Sequence, residues 1–425
     1  MLSRFIDEIP RRSVSVVVGA LGSFRVVIVT GARQAGKTTL VRQVLGDQGT
    51  LQRLDDEVVL QAARADPATF ASYGPLPRAI DEVQRGGDAL VRAIKAIVDI
   101  DVTPGQFLLD GSADFLTVPT LSESLAGRAA FIELWPFSQG EIDGAADGFL
   151  DVVLNVPEQL RSDPPSPLQM ADYIARLCAG GFPEAVRLDG PARSRWFANY
   201  VRTVTQRDIT ELTGARKADQ LPRLLRLLAA RTAGELVVTS VHDAAGLGSR
   251  STTEDYIGFL GMTYLVHQLP AWSRNLSAKA KRHPKVYVTD TGLAAHLLGK
   301  QPASLSRPQD PARGPLMETF VVNELRKQQG WLDSEVALHH LRDRDGAEVD
   351  VVIEASDGRI VGIEVKASAT VTLADFRWLA WLRDKLGDQF VAGVVLFTGE
   401  RPLAFGDRLT AAPISALWRS VPSRV

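Results

Sequence analysis

The residues with the clearest chemistry are Gly31-Ala-Arg-Gln-Ala-Gly-Lys-Thr38 and the Thr39 that follows. The pattern G-x-x-x-x-G-K-T lets backbone N–H groups wrap a phosphate with no Cβ in the way. Lys37 would reach the β- and γ-phosphates, and the Thr38 hydroxyl would ligate Mg²⁺. Gly31, Ala32, Arg33, Gln34, Ala35, Gly36, Lys37, Thr38 and Thr39 are therefore the candidate nucleotide-binding residues, with ATP and Mg²⁺ as expected ligands. Further on, Ile80-Asp-Glu-Val-Gln84 ends an apolar run in two acids. There Asp81 would hold the Mg²⁺ shell and Glu82 would orient and polarise the attacking water. Phe107-Leu-Leu-Asp-Gly-Ser112 ends a third apolar run in polar groups: Ser112 is the candidate probe of the γ-phosphate, and Asp110 is the less comfortable alternative. Arg128 is either an arginine finger that stabilises transition-state charge or a surface arginine.

A separate constellation lies near the C-terminus. Asp350, Glu364-x-Lys366 and a helical acid resemble the PD-(D/E)XK nuclease site, in which acids hold a divalent metal and the lysine steadies charge at the phosphate. Glu318 is the favoured helical acid, and Glu324, inside an apolar stripe, is the alternative. Mg²⁺ or Mn²⁺ would be the ion, because all the ligands are oxygens. The competing readings are a solvated Glu-x-Lys on a sheet edge, or a nuclease fold kept only for binding.

These residues need elements to position them. Val26 to Val29 is a buried strand before the glycine loop, and a helix with apolar spacing follows from Thr39. Residues 50 to 55 predict a second strand, 76 to 84 a third and 107 to 110 another. Residues 150 to 165, rich in Pro, Ser and Asp, read as a linker. From Pro167 to Leu212 the spacing is helical. Helices are expected over 221–230, 240–245 and from Ser249 to about Leu260, then a strand over 264–269, which is the winged helix-turn-helix order. The wing would span 271–286. It is basic, with Arg274, Lys279, Lys281, Arg282 and Lys285 as candidate DNA contacts, and a solvated loop or a protein-docking lid as the other readings. A second linker spans 301–313. Beyond it an αβββαβ order follows: helix 316–328, strands 336–341, 347–354 and 360–366, helix 373–386, strand 390–397.

Composition narrows the class. The 425 residues suggest two to four domains; 45% hydrophobic and 23% charged residues are ordinary for a globular protein. A formal net charge of −2 gives no global basic field, so any nucleic-acid contact must be local. One cysteine, Cys178, excludes an internal disulfide and a cysteine-based zinc site. No signal-peptide core or membrane-length apolar run is present, and a cytoplasmic location without membrane contact is expected.

Together with Ser124-Leu-Ala-Gly-Arg128, Gly180-Gly-Phe-Pro-Glu-Ala185, Arg207-Asp208, Trp272-Ser-Arg-Asn275, Thr289-Asp-Thr-Gly-Leu293 and Arg342-Asp-Arg-Asp-Gly-Ala-Glu-Val-Asp350, the motifs above resemble the AAA+ ATPases that carry a C-terminal DUF4143 region. The resemblance covers nearly the whole chain. It implies an α/β fold: a P-loop AAA+ parallel sheet over 1–148, a helical lid over 149–220, a winged helix-turn-helix with basic wing over 221–300, and a nuclease-like DUF4143 domain over 301–425. The family usually has Thr where this chain has Asp110, and a carboxylate there would repel a γ-phosphate unless it faces the metal. A homo-oligomer is also implied, with Arg128 acting across subunits. Two functions fit: an ATP-hydrolysing protein acting on DNA with a metal-dependent nuclease domain, or an ATP-gated regulatory or scaffold protein whose winged helix and C-terminal domain bind DNA or protein and cut nothing.

Overall fold

The computed structural model describes residues 9–111, 125–208, 220–273, 283–343 and 346–421. Its first sheet is parallel, with strands β1 (Val26–Gly31), β2 (Thr50–Arg53), β3 (Arg78–Asp81), β4 (Phe107–Asp110) and β5 (Ala129–Leu134) in the order β2-β3-β4-β1-β5. β4 thus lies between the strand that feeds the glycine loop and the strand that ends in Asp81. β1 is buried along its whole length, as an apolar β-branched run covered on both faces must be. Helices Ser13–Leu21 and Lys37–Leu45 pack on one face, and Glu57–Ala65, Pro67–Ser72 and Gly87–Ile100 on the other.

The next unit follows the expected order of helices, Met170–Ala179, Pro183–Arg187 and Gly190–Thr203. Helices Leu221–Ala229, Val238–Ala245 and Arg250–Met262 come next; the Ser249 hydroxyl caps the last by accepting the Thr252 N–H at 3.1 Å. They surround a small antiparallel sheet of β6 (Gly234–Glu235), β7 (Val266–Leu269) and β8 (Lys285–Val288), in the order β6-β8-β7. β6 was not expected from the sequence, because two residues carry no periodicity.

The C-terminal unit begins with helix Arg313–Gln329. Its strands are β9 (Val336–Arg342), β10 (Glu348–Ala355), β11 (Ile360–Lys366), β12 (Phe390–Phe397), β13 (Leu403–Ala404) and β14 (Leu409–Pro413). The order β13-β14-β12-β11-β10-β9 is mixed: β9-β10-β11 pair antiparallel, while β11-β12-β14 pair parallel. The αβββαβ order holds, and β13 and β14 extend it.

Both expected linkers are structured. Residues 149–155 form a helix whose Leu150, Val152, Val153 and Leu154 are buried against the C-terminal unit, and its Leu150 N–H donates to Gln328 Oε1 at 3.1 Å. The Pro- and Ser-rich flank masked this short apolar run. Pro302–Leu305 is likewise a helix with Leu305 buried. One continuous apolar core runs from Ala32 and Ala35 behind the glycine loop, through Phe182, Phe197 and Tyr200, to Val351 and Ile363 of the C-terminal sheet.

Candidate functional site: a P-loop cleft and a buried acid cluster

The glycine loop leaves β1 at the carboxyl edge of the sheet. Gly31 turns with φ 147°, and a Cβ there would lie 2.2 Å from the Leu134 carbonyl oxygen, so only glycine fits. Lys37 opens the following helix, and its buried ammonium donates to the carbonyls of Gly31 and Ala32, both at 3.1 Å. Burial lowers the Lys37 pKa, and the charges of Asp110, Glu82 and Asp81 oppose that shift. The Thr38 hydroxyl donates to Asp81 Oδ2 at 3.1 Å. Asp81 and Asp110 end neighbouring strands. The Asp110 carboxyl is fully buried and accepts the Glu82 N–H at 3.2 Å on Oδ1, while its Oδ2 accepts no hydrogen bond. Burial, first, and the adjacent Asp81 push the Asp110 carboxyl well above the usual carboxylate range. These oxygens suit Mg²⁺, a hard cation that takes oxygen ligands.

Glu82 adopts left-handed backbone angles, φ 56° and ψ 44°, a costly conformation for this residue that turns the chain sharply after β3. The Gln84 amide donates to its carboxylate. Arg33, Gln34, Gly36, Lys37, Thr38, Thr39, Asp81 and Glu82 line one cleft of about 410 Å³, together with Phe137, Pro183, Glu184 and Arg187. Ala32 and Ala35 are buried behind the loop.

Other expected residues lie elsewhere. Arg128 precedes β5 at the opposite end of the sheet, where it pairs with Asp99 and its carbonyl accepts the Val26 N–H. It does not reach the P-loop of its own chain. Ser112, Arg274, Lys279, Lys281 and Arg282 lie outside the described residues. Lys285 is described and is no DNA contact, for it is only 2% exposed.

Arg11 and Arg187 line the cleft and carried no assignment from the sequence. Arg11 is buried, donates to the Ala35 and Trp135 carbonyls at 2.8 and 2.6 Å, pairs with Glu141 at 3.0 Å and stacks on Phe137. It braces the glycine loop against the segment after β5. Arg187, paired with Glu184 at 3.1 Å, brings a cation to the cleft from helix Pro183–Arg187. Only the Gly180-Gly-Phe-Pro-Glu-Ala185 motif marked this wall, and its physical basis is now visible. The Gly181 carbonyl accepts the Phe137 N–H at 2.8 Å, and a Cβ on Gly181 would lie 2.3 Å from the Phe137 carbonyl oxygen.

In the C-terminal unit the expected acids do converge. Glu318 projects from helix Arg313–Gln329, Asp350 from β10, and Glu364 and Lys366 from β11. Asp350 Oδ2 accepts the Val365 N–H at 3.0 Å. Burial, first, and the Asp350 charge push Glu318 up to about 8 and Glu364 up to about 9. Lys366 lies 3.6 Å from Glu364 and 3.8 Å from Asp375 at the rim. The Lys285 ammonium, however, stands 2.8 Å from Glu318, 3.3 Å from Asp350 and 3.5 Å from Glu348. A divalent ion does not fit while that ammonium holds the space. Among the described residues no group of three or more His, Cys, Asp or Glu is placed to hold a metal ion. Glu324 is elsewhere: buried, it accepts the Gln139 N–H at 2.8 Å and pairs with Lys327 at 2.6 Å.

A glycine loop, lysine, threonine and strand-end aspartate at the carboxyl edge of a parallel sheet define a P-loop ATPase. Family models match an AAA domain over residues 23–143, a domain of unknown function, DUF8612, over 170–304, and DUF4143 over 313–417. The chain belongs to the AAA-domain ATPases with a C-terminal DUF4143 region. It is 30% identical over 398 residues to uncharacterized proteins of Mycobacterium tuberculosis and Mycobacterium bovis, spanning 93% of this chain and 81% of each of those. An uncharacterized protein of Haemophilus influenzae is 24% identical over 300 residues, 65% of this chain and 70% of that one. Among solved structures, a Walker-type ATPase of Pyrococcus abyssi superposes with TM-score 0.41 at 16% identity, over 68% of this chain and 95% of that one. The RuvB Holliday junction branch migration motor of Thermotoga maritima gives 0.28 at 17%, over 61% and 90%. Among the described residues no helix is long and apolar enough to cross a membrane.

Proposed function

We propose that the protein is an ATP-hydrolysing switch that passes its nucleotide state to two partner-binding units and cuts nothing. The observation that carries this reading is the convergence of Lys37, Thr38, Asp81, Glu82 and Arg187 on one cleft. In it the loop N–H groups and Lys37 would bind the phosphates, and Thr38 and Asp81 would hold Mg²⁺. Mg²⁺ there would supply neutralisation of phosphate charge. Glu82, oriented by Gln84, positions the water and takes up its proton. Lys37→Ala should lose nucleotide binding, because the phosphates lose their main cationic partner. Glu82→Gln should retain binding and slow turnover on the order of 100-fold. Parental turnover in Glu82→Gln would remove the residue from this role.

The helix order from Leu221 to Met262 followed by the β7–β8 hairpin supports a winged helix and DNA as the partner. Helix Arg250–Met262 exposes Glu254 and Asp255, which disfavour phosphate, so contact would rest on Arg274, Lys279, Lys281 and Arg282. Replacing Lys279, Lys281 and Arg282 with Ala should then flatten the salt dependence of DNA binding by about 0.9 per lost phosphate contact. An unchanged slope would assign the unit to protein docking. The C-terminal domain is read as a binding module because Lys285 occupies its acid cluster. Supercoiled DNA should stay intact with Mg²⁺ or Mn²⁺ present, and metal-dependent nicking lost in Asp350→Ala would overturn that reading.

A further inference from the structure

The acid set of a metal-dependent nuclease is assembled in this chain, yet the cation at its centre is a lysine from another unit. We propose that Lys285 is the resident cation of the C-terminal acid cluster and closes that domain to divalent metal. The proposal rests on the reading of the domain as a binding module and supplies its physical cause.

Lys285 begins β8 and is 2% exposed. Its ammonium has three donors, and three carboxylates, Glu318, Asp350 and Glu348, stand within 2.8–3.5 Å. Tyr287, two residues along the same strand face, donates its hydroxyl to Glu318 Oε1 at 2.7 Å. The second oxygen of Asp350 is taken by the Val365 N–H. One oxygen each of Glu318, Asp350 and Glu348 therefore faces the Lys285 ammonium, where a metal shared by these acids would sit.

A metal entering here would have to expel the ammonium, and a buried ammonium stripped of its carboxylates is strongly destabilising. If the ammonium stayed, two cations would repel at contact distance in a poorly screened interior.

Lys285 is also not a mobile arm. The Asn323 amide donates to the Val288 carbonyl at 3.0 Å, and His267 Nε2 bonds to Asn323 Oδ1 at 2.8 Å. The Trp272 N–H donates to the His340 carbonyl at 2.6 Å, tying the chain beyond β7 to β9. The small sheet and the C-terminal unit are thus packed together on both sides of the ammonium.

The test is direct binding of Mn²⁺, followed by electron paramagnetic resonance, to nucleotide-free full-length protein. Four proteins share the same P-loop background: the parent, Asp350→Asn, Lys285→Gln and the double variant. The parent and Asp350→Asn should bind Mn²⁺ identically. Lys285→Gln should gain one further equivalent, and the double variant should lose it again. A folded Lys285→Gln that gains no ion overturns the proposal, and so does an Asp350→Asn that binds less Mn²⁺ than the parent. If Lys285→Gln does not fold, the comparison of parent with Asp350→Asn, repeated with Glu364→Gln, still decides. ATP turnover, measured alongside, should be equal in the parent and in Asp350→Asn. A parent that turns over no ATP would count against the ATPase reading alone, since it leaves the ion count untouched.

Discussion

Asp110 ends β4 beside Asp81, and its environment changes what the side chain is. An ionised carboxylate there would oppose a γ-phosphate, and burial and the neighbouring Asp81 both favour the protonated form. Its Oδ1 accepts the Glu82 N–H at 3.2 Å. Asp110→Asn should therefore preserve ATP turnover to within a few-fold, since the amide oxygen accepts the same bond. Asp110→Ala removes the acceptor of the half-buried Glu82 N–H and should cost about 1 kcal/mol of stability. Steady-state turnover and urea melts of both variants check this; an inactive Asp110→Asn would mean that the charge itself is needed. The same logic, a buried group defined by its neighbours, separates Lys37, whose ammonium meets loop carbonyls at the cleft, from Lys285, whose ammonium meets carboxylates.

Helix Gln139–Asp143 shows how one element is fastened. The Ser138 hydroxyl accepts the Glu141 N–H at 2.9 Å, and Glu141 returns to the Ser138 N–H at 3.0 Å, a capping box. Asp147 adds to it, accepting the Ser138 hydroxyl at 2.7 Å and the Gly140 N–H at 3.1 Å. Burial, first, and the Glu324 charge raise Asp147 to about 7. The folded chain thus keeps a proton that the unfolded chain releases near pH 4. Stability should fall as pH rises from about 4 to 7, and the full cost is present above that window. Asp147→Asn should remove this slope, raising the melting temperature at pH 8 and leaving it nearly unchanged at pH 4.5. Thermal melts at the two values test it, and a parallel drop for both proteins would reject the assignment.

Across the molecule, the segment after β5 joins the nucleotide cleft to the C-terminal unit. Phe137 lines the cleft, its N–H donates to the Gly181 carbonyl, and its own carbonyl accepts the Lys327 ammonium at 2.9 Å. Glu324, one turn before Lys327 on the same helix, holds the Gln139 N–H. Asp290 completes the frame by accepting the Gly181 N–H at 2.6 Å and the Leu293 N–H at 2.8 Å. A nucleotide that orders Phe137 must therefore act on helix Arg313–Gln329, and the coupling is reciprocal. A slowly hydrolysed ATP analogue should slow amide hydrogen exchange in that helix, and Lys327→Met should abolish the effect while the analogue still binds. Unchanged exchange in the parent would leave the two units uncoupled.

The amino-acid sequence by itself determined the glycine loop, the two strand-end acids, the order of the helices and the αβββαβ series. Each of these is local: a motif of fixed spacing, or an apolar period of two or of 3.6 residues. It also put Glu364 and Lys366 on one face of a strand by alternation, while leaving Glu318 and Glu324 open as the helical acid. The tertiary structure decided the rest. Lys285, in a basic stretch, looked like a phosphate contact, and only the packing of β8 against helix Arg313–Gln329 turns it toward Glu318 and Asp350. Glu324 looked like a spare metal ligand, and the fold makes it a helix cap for a different unit. The stretch from 150 to 165 looked like a linker, and contact with a helix far along the chain made part of it core. In each case the deciding neighbour lies far away in sequence, and no local pattern of residue types encodes which distant carboxylate, backbone N–H or apolar face a side chain will meet.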